Sequence, residues 1–190
     1  MNKAFASLAV VTALATVGCS TTSPDKNPSM SMSASRSAID ADVDGAVQKL
    51  YAQDPGSRAL VAKARGMLVF PSIVSAGFVV GGSYGKGALR VRGNTTGYYS
   101  TTSGSVGLLA GADSKAVYIL FMTDEALNKF RASNGWTAGA DASVSVLKAG
   151  ASVDTDTQTI RQAVVGYVLT NAGLMANLAI DGTKVSKLEM

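Results

Sequence analysis

Residues 76–87 read "AGFVVGGSYGKG", five glycines and a lysine beside an apolar run. The glycine-lysine pairing suggests a phosphate-cradling loop, which needs glycine, four residues, then Gly-Lys-Ser/Thr opening a helix. Gly85-Lys86 supplies the pair, but position 80 is valine, and glycine stands at 87 where the hydroxyl is required. The dinucleotide pattern fails too: counted from Gly85 and Gly87, its third glycine falls on Arg90. Both patterns lead into a helix, whereas the next residues alternate Ala88, Arg90 and Arg92 with Leu89 and Val91, which is strand periodicity. Glycines within strands permit bulges, sharp bends and close backbone approach. Gly77, Gly81, Gly82, Gly85 and Gly87 therefore predict a tightly bent hairpin, and Gly104, Gly107 and Gly111 extend the pattern. No nucleotide is expected.

Upstream, "MLVFP" predicts a short buried strand stopped by Pro71. Before it, Ser37 caps a helix whose Ile39, Val43, Ala46, Val47, Leu50 and Tyr51 share one face. "DPGS" ends that helix, and Ser57 caps a second one running to Gly66, with Lys63 and Arg65 at its carbonyl end. Downstream, Asn94–Gly97 predicts a turn, "YYSTT" and "SVGLLAGA" predict strands, and Ala116–Met122 a central strand covered on both faces. Thr123 caps a short helix, "DEALNKF", with acids in its first turn. The remaining third reads as strands in "WTAGADASVSVLKAGAS", "AVVGYVLTN", "GLMANLAIDG" and "KVSKL", with a tight turn at Asn171–Gly173. The fold class is α+β: mainly antiparallel, strongly bent, glycine-rich sheet with N-terminal and central helices. The sheet–helix–sheet order suggests two similar lobes, although no internal repeat accompanies it.

Residues 1–18 carry Lys3, an apolar run from Ala4 to about Ala15 and then small residues, the pattern of a secretory signal. The single cysteine, Cys19, follows "TVG" at the place where bacterial lipoproteins are acylated and cleaved, although Thr16 stands where Leu is usual. Ser20 after it, in place of Asp, matches lipoproteins forwarded to the outer membrane. Residues 19–36 are rich in Ser, Thr and Pro and read as a flexible tether, leaving 37–190 as the folded domain. One cysteine also means no structural disulfide.

Without residues 1–18 the chain keeps 16 basic and 13 acidic residues, a net +3. The distribution is uneven. Between Pro55 and Ala112 stand Arg58, Lys63, Arg65, Lys86, Arg90 and Arg92 with no Asp or Glu. An acid-free basic window favours anionic partners, and for an exported protein phospholipid headgroups suit better than nucleic acid. The chain has no histidine, which excludes Ser-His and Cys-His nucleophile pairs and His-based zinc sites. "SGSVG" around Ser105 misses the nucleophile elbow because position 103 is Ser. Asp154 and Asp156 flank a threonine as in a solvated loop. No catalytic site, cofactor or metal is expected.

Taken in order, "ARGMLVFPSIVSAGFVVGGSYGKGALRVR", "GSVGLLAGADSKAVYILFMTDEAL" and "GADASV" resemble the SYLF domain over most of residues 37–188. Phe70-Pro71 and the glycine-rich core are the most specific parts. The resemblance implies an α+β lipid-binding domain without catalytic activity; eukaryotic members bind phosphoinositides and some engage actin. Arg65 stands where the family commonly has Lys before glycine, and Lys86 falls within the shared "YGKG". Two departures concern any lipid pocket: Tyr98-Tyr99-Ser100-Thr101 replaces a Trp-Ser-x-Pro pattern, and Asn177 replaces a small residue.

The expectation is a non-catalytic bacterial envelope lipoprotein, anchored through Cys19 to the periplasmic face of the outer membrane. Its domain meets anionic phospholipid through Arg58, Lys63, Arg65, Lys86, Arg90 and Arg92. Tyr98 and Tyr99 fit either the lipid interface or the core. Two alternatives are an envelope module docking a protein, which exposed Leu89 or Val91 would suit, and a periplasmic carrier of a single lipid held inside the bent sheet.

Overall fold

The computed structural model of the protein describes residues 28–77, 80–106, 111–147, 162–174, 180 and 182–190. The signal, Cys19 and the Asp154/Asp156 pair lie outside them. The N-terminal helices are α1 (Pro28–Gln53) and α2 (Ser57–Lys63), and α3 spans Asp124–Ala132. The long strands are β1 (Gly66–Gly77), β2 (Val80–Val91), β3 (Asn94–Val106) and β4 (Gly111–Phe121). Shorter ones follow: β5 (Trp136–Thr137), β6 (Ser145–Val146), β7 (Val164–Thr170), β8 (Gly173–Leu174) and β9 (Lys184–Leu188). They form one strongly curled sheet in the order β5-β9-β3-β2-β1-β4-β7-β6, with β8 on β7. All pairings are antiparallel except β6 with β7. The fold class is α+β as expected, but the two suggested lobes are a single sheet, because β4 pairs back onto β1 and then carries β7 on its other edge.

Each face of this sheet has its own core. On one, Ile39, Val43, Ala46 and Leu50 of α1 and Leu60 of α2 pack on Met67, Val69, Ala88, Tyr118, Leu120, Val165 and Tyr167. On the other, Leu127 and Phe130 of α3 and Trp136 pack on Leu68, Phe70, Leu89, Tyr99, Val117, Ile119 and Phe121. Phe130 is the hub of the second core, with ring centroids 4.8 Å from Phe121, 5.0 Å from Tyr99 and 5.7 Å from Trp136. Residues 117–121 of β4 are thus buried on both faces, as their unbroken apolar run predicts.

Pro71 does not stop β1. The strand continues through it as a bulge: the three residue steps from Val69 to Ser72 face the two steps from Ala88 to Lys86 on β2, and those from Phe70 to Ile73 face the two from Val117 to Lys115 on β4. Proline has no N–H for a ladder, and a bulge is a place inside a sheet that tolerates the loss. The glycines answer this bulge. A Cβ on Gly87 would collide with the Val69 carbonyl, and one on Gly85 would come within 2.8 Å of the Ser72 carbonyl oxygen. Gly85 and Gly87 therefore let β2 close on the distorted stretch of β1.

Four local expectations change. Helix α1 begins at Pro28, so residues 28–36, read as tether, are helical. Ser57 is the first residue of α2, with Gly56 as its N-cap, and the Ser57 hydroxyl donates back to the Asp54 carbonyl at 2.6 Å. The β2–β3 turn falls at Arg92–Gly93, both with positive φ (52° and 83°), not at Asn94–Gly97. A two-residue hairpin turn of this kind needs left-handed backbone at both central positions. Finally, "WTAGADASVSVLKAGAS" yields only β5 and β6 among its described residues, because Ala138–Ala142 form a tight turn in which the Thr137 amide donates to Asp141 Oδ2 at 2.6 Å.

Candidate functional site

The six cations of the acid-free window do not form one patch. Arg90 is structural. It lies on the α1 face of β2 with its side chain 17% exposed, donating to Asp44 Oδ1 at 2.8 Å and to the Asp40 carbonyl at 3.3 Å. Asp40 also accepts from the Thr95 and Tyr98 hydroxyls at 2.7 and 2.9 Å. This cluster fastens α1 to the sheet and commits Arg90 internally. Arg58 stacks its guanidinium 4.3 Å above the Tyr51 ring, joining α2 to α1. Lys86 is exposed beside a groove between α1 and the bulge, across from Lys49 and Ser72.

Lys63, Arg65 and Arg92 do converge. They line a cleft of about 430 Å³ with Arg131 of α3, over a floor that includes Val91 and Leu127. Each comes from a different place: Lys63 ends α2, Arg65 leads into β1, Arg92 sits in the β2–β3 turn and Arg131 in the last turn of α3. Asp124 is the acid in this lining, and its Oδ2 lies 3.4 Å from Arg65 Nε. Both partners are well exposed, so this pair holds Arg65 only weakly. With four cations to one carboxylate, the cleft suits a polyanion and repels a metal ion.

Arg92 adds a second sign. A non-glycine residue at φ 52° is strained, at a cost of order 1 kcal/mol. Asparagine or glycine would fit this turn without that strain. The chain keeps an arginine there, and it lines the cleft.

Sequence reasoning missed Arg131 because it stands outside the acid-free window, between Lys129 and the helix end. One signal was available: Leu127 faces the core, and Arg131 lies one turn on along that side. Tyr98 and Tyr99 take the core alternative. Tyr99 is buried, and Tyr98 is half-buried with its hydroxyl on Asp40. Burial, then the hydrogen bond to Asp40, pushes the Tyr98 phenol upward. Leu89 is fully buried and Val91 partly so, and neither offers an exposed docking patch.

Among the described residues, the sheet interior around Phe70, Ile73 and Val117 is nearly filled. Between Phe70, Ile73, Thr101, Lys115 and Val117 remains a cavity of about 10 Å³, onto which the buried Thr101 hydroxyl opens without a partner among the described residues. That is room for a single water molecule.

The model of the family described as "Ysc84: Las17-binding protein actin regulator" matches residues 102–189, from the middle of β3 through β9. Over residues 102–189 the chain is thus similar to the Ysc84, or SYLF-domain, family. No curated protein matches the chain. The Ysc84 span holds β4, which pairs with β1 of the β1–β2 hairpin, and β7 on the other edge of β4, together with α3 and its Arg131. Lys63, Arg65 and Arg92 stand upstream of it, so the cleft is built jointly by the family span and the hairpin that precedes it.

Proposed function

We propose that this Ysc84-like domain binds anionic phospholipid surfaces through the Lys63–Arg65–Arg92–Arg131 cleft, without catalysing a reaction. In this reading Cys19 carries the lipid anchor, and the domain works at the periplasmic face of a bacterial outer membrane. The convergence of four cations from four places in the fold carries the reading, supported by an arginine kept at the left-handed position 92. Each cation adds on the order of 1 kcal/mol beside an anionic membrane surface, so the cleft supplies binding that is real, weak and salt-dependent. Arg90, held by Asp40 and Asp44, drops out of the contact set, while Arg58 and Lys86 stand as separate exposed cations.

The test is sedimentation of the full Cys19→Ser chain with phosphatidylcholine vesicles, with and without phosphatidylglycerol, at rising salt. Stronger binding to the anionic vesicles that fades with salt, and is lost in Lys63→Glu/Arg92→Glu/Arg131→Glu, supports the reading. Equal binding to both vesicle types, or no loss in the triple variant, overturns it.

A protein partner is the second reading. The matching family's description names a Las17-binding protein, which supports protein recognition as a capacity of such domains. Crosslinking in intact cells separates the two: a reproducible protein adduct at the cleft favours the second. The interior lipid-carrier reading has the least support, since the cavity between Phe70, Thr101 and Val117 has room for a water molecule and not for an acyl chain.

A further inference from the structure

Helix α3 has two flanks, and the cationic cleft uses one of them, through Asp124, Leu127 and Arg131. On the other flank Glu125 and Lys129, one turn apart, line a second pocket of about 240 Å³ together with Ala126. Trp136 of β5, Asp141 of the tight turn after it and Val164 at the start of β7 also line this pocket. The two linings share no residue.

Part of the second pocket is apolar and rigid. Trp136 is 4% exposed, its ring held edge-on by Phe121 at 6.3 Å and Phe130 at 5.7 Å. Val164 is buried, and Ala126 packs against the same core. The charged part is negative on balance, with two carboxylates to one ammonium, although the whole chain carries a net +4. Asp141 is anchored in its turn: its Oδ2 accepts from the Thr137 amide at 2.6 Å, and its own amide donates to the Thr137 carbonyl at 2.9 Å. Its Oδ1 stays open among the described residues. Glu125 and Lys129 stand at the spacing of a helical ion pair, yet neither pairs with the other or with any other described residue.

This combination selects a ligand unlike that of the cleft. Two carboxylates beside an apolar surface are a poor cage for a calcium-like ion, which takes about six to eight oxygens. They suit an organic ammonium, whose N–H groups meet carboxylate oxygens while its apolar body meets the indole. The volume lies below the range of about 300–1,000 Å³ typical for drug-sized ligands, so the occupant is small.

We infer that this pocket binds a small organic cation, an ammonium group carried on a short apolar body. The ammonium goes to Glu125 and Asp141, the apolar body rests against Trp136 and Val164, and Lys129 opposes the ligand's charge. A free amine and the lysine side chain of a protein partner both offer this chemistry. The site is independent of the phospholipid reading, because it lies on the opposite flank of α3 from the cleft.

Trp136 is the only tryptophan in the chain, so its fluorescence reports on this pocket directly. The full Cys19→Ser chain is titrated with phenethylamine, N-acetyl-lysinamide, 2-phenylethanol and phenylacetate. The expected result is a saturable change with an amine, binding about tenfold weaker for 2-phenylethanol, and no response to phenylacetate. Whichever amine binds more tightly identifies the source, a free apolar amine or a lysine side chain. Glu125→Gln/Asp141→Asn should weaken amine binding about tenfold and keep the turn, since the asparagine carbonyl still accepts from the Thr137 amide. Lys129→Gln should tighten binding about twofold. No saturable response to either amine overturns the proposal. Equal affinity for 2-phenylethanol overturns it by reducing the site to an apolar crevice, as does unchanged amine binding in the double variant.

Discussion

The Tyr118 hydroxyl donates a 2.8 Å hydrogen bond to the Ala46 carbonyl, tying the middle of α1 to the centre of the sheet inside a fully buried core. Tyr118→Phe keeps the ring and removes that tie. The expected loss is about 1 kcal/mol, read by urea denaturation. The same burial pushes the Tyr118 phenol from 10.0 up to about 12. In the unfolded chain the proton leaves first, so the stabilisation is complete below pH 10 and is lost as pH rises towards 12. Wild-type stability should fall across that window, and Tyr118→Phe should flatten part of the fall.

Tyr167 sits in the same core with the contrary arrangement. Its hydroxyl and Asp54 Oδ2 are both buried without a hydrogen-bond partner among the described residues, and burial followed by the Asp54 charge raises its phenol well above the usual range. Removing an unpartnered buried hydroxyl releases its desolvation cost, which is about 1–3 kcal/mol for such groups. Tyr167→Phe should therefore be neutral or stabilising in the denaturation assay that penalises Tyr118→Phe.

Two glycines divide structural need from mere composition. Gly87→Ala drives a methyl into the Val69 carbonyl, a backbone atom that cannot step aside, and should cost about 3 kcal/mol. Gly104→Ala meets open space and should stabilise β3 by about 0.5 kcal/mol. Thermal unfolding of the pair tests this.

Arg92→Gly relieves the left-handed backbone at the turn and removes one cleft cation. It should raise stability by about 1 kcal/mol while weakening binding to anionic vesicles. Gain in one assay with loss in the other is the mark of strain kept for function.

Arg90→Gln should behave in the reverse way. Loosening the clamp on Asp40 and Asp44 should cost about 1–3 kcal/mol. Vesicle binding by the folded fraction should stay as in wild type, read by the same sedimentation assay.

The elements most visible in the sequence were those whose period speaks alone: the face Ile39–Val43–Ala46–Leu50, the apolar run of β4, and Thr123 capping α3 by accepting from the Ala126 amide. Pro71 misled because its missing N–H argues against a strand interior, and only the partner glycines on β2 disclose that a bulge accommodates it. Arg92 misled because left-handed arginine is rare, so the turn was placed on the more ordinary Asn94–Gly97. Within the candidate site, charge type was legible but convergence was not. Arg90 and Arg92 differ by two positions in sequence, and one is locked to Asp44 while the other opens onto the cleft. No linear spacing encodes Arg131 arriving from α3.

The bulge also uncouples the length of β1 from the sidedness of its residues. Phe70 and Ile73 lie in the α3-face core three positions apart, where an even strand would need two or four. Removing Pro71 would thus restore plain alternation and leave Ile73 inside and Val74 outside, whereas removing Ser75 would turn Ala76 and Gly77 over. Protease resistance of the two deletions should separate accordingly. Position 71 is the point at which this strand can change length without changing sides.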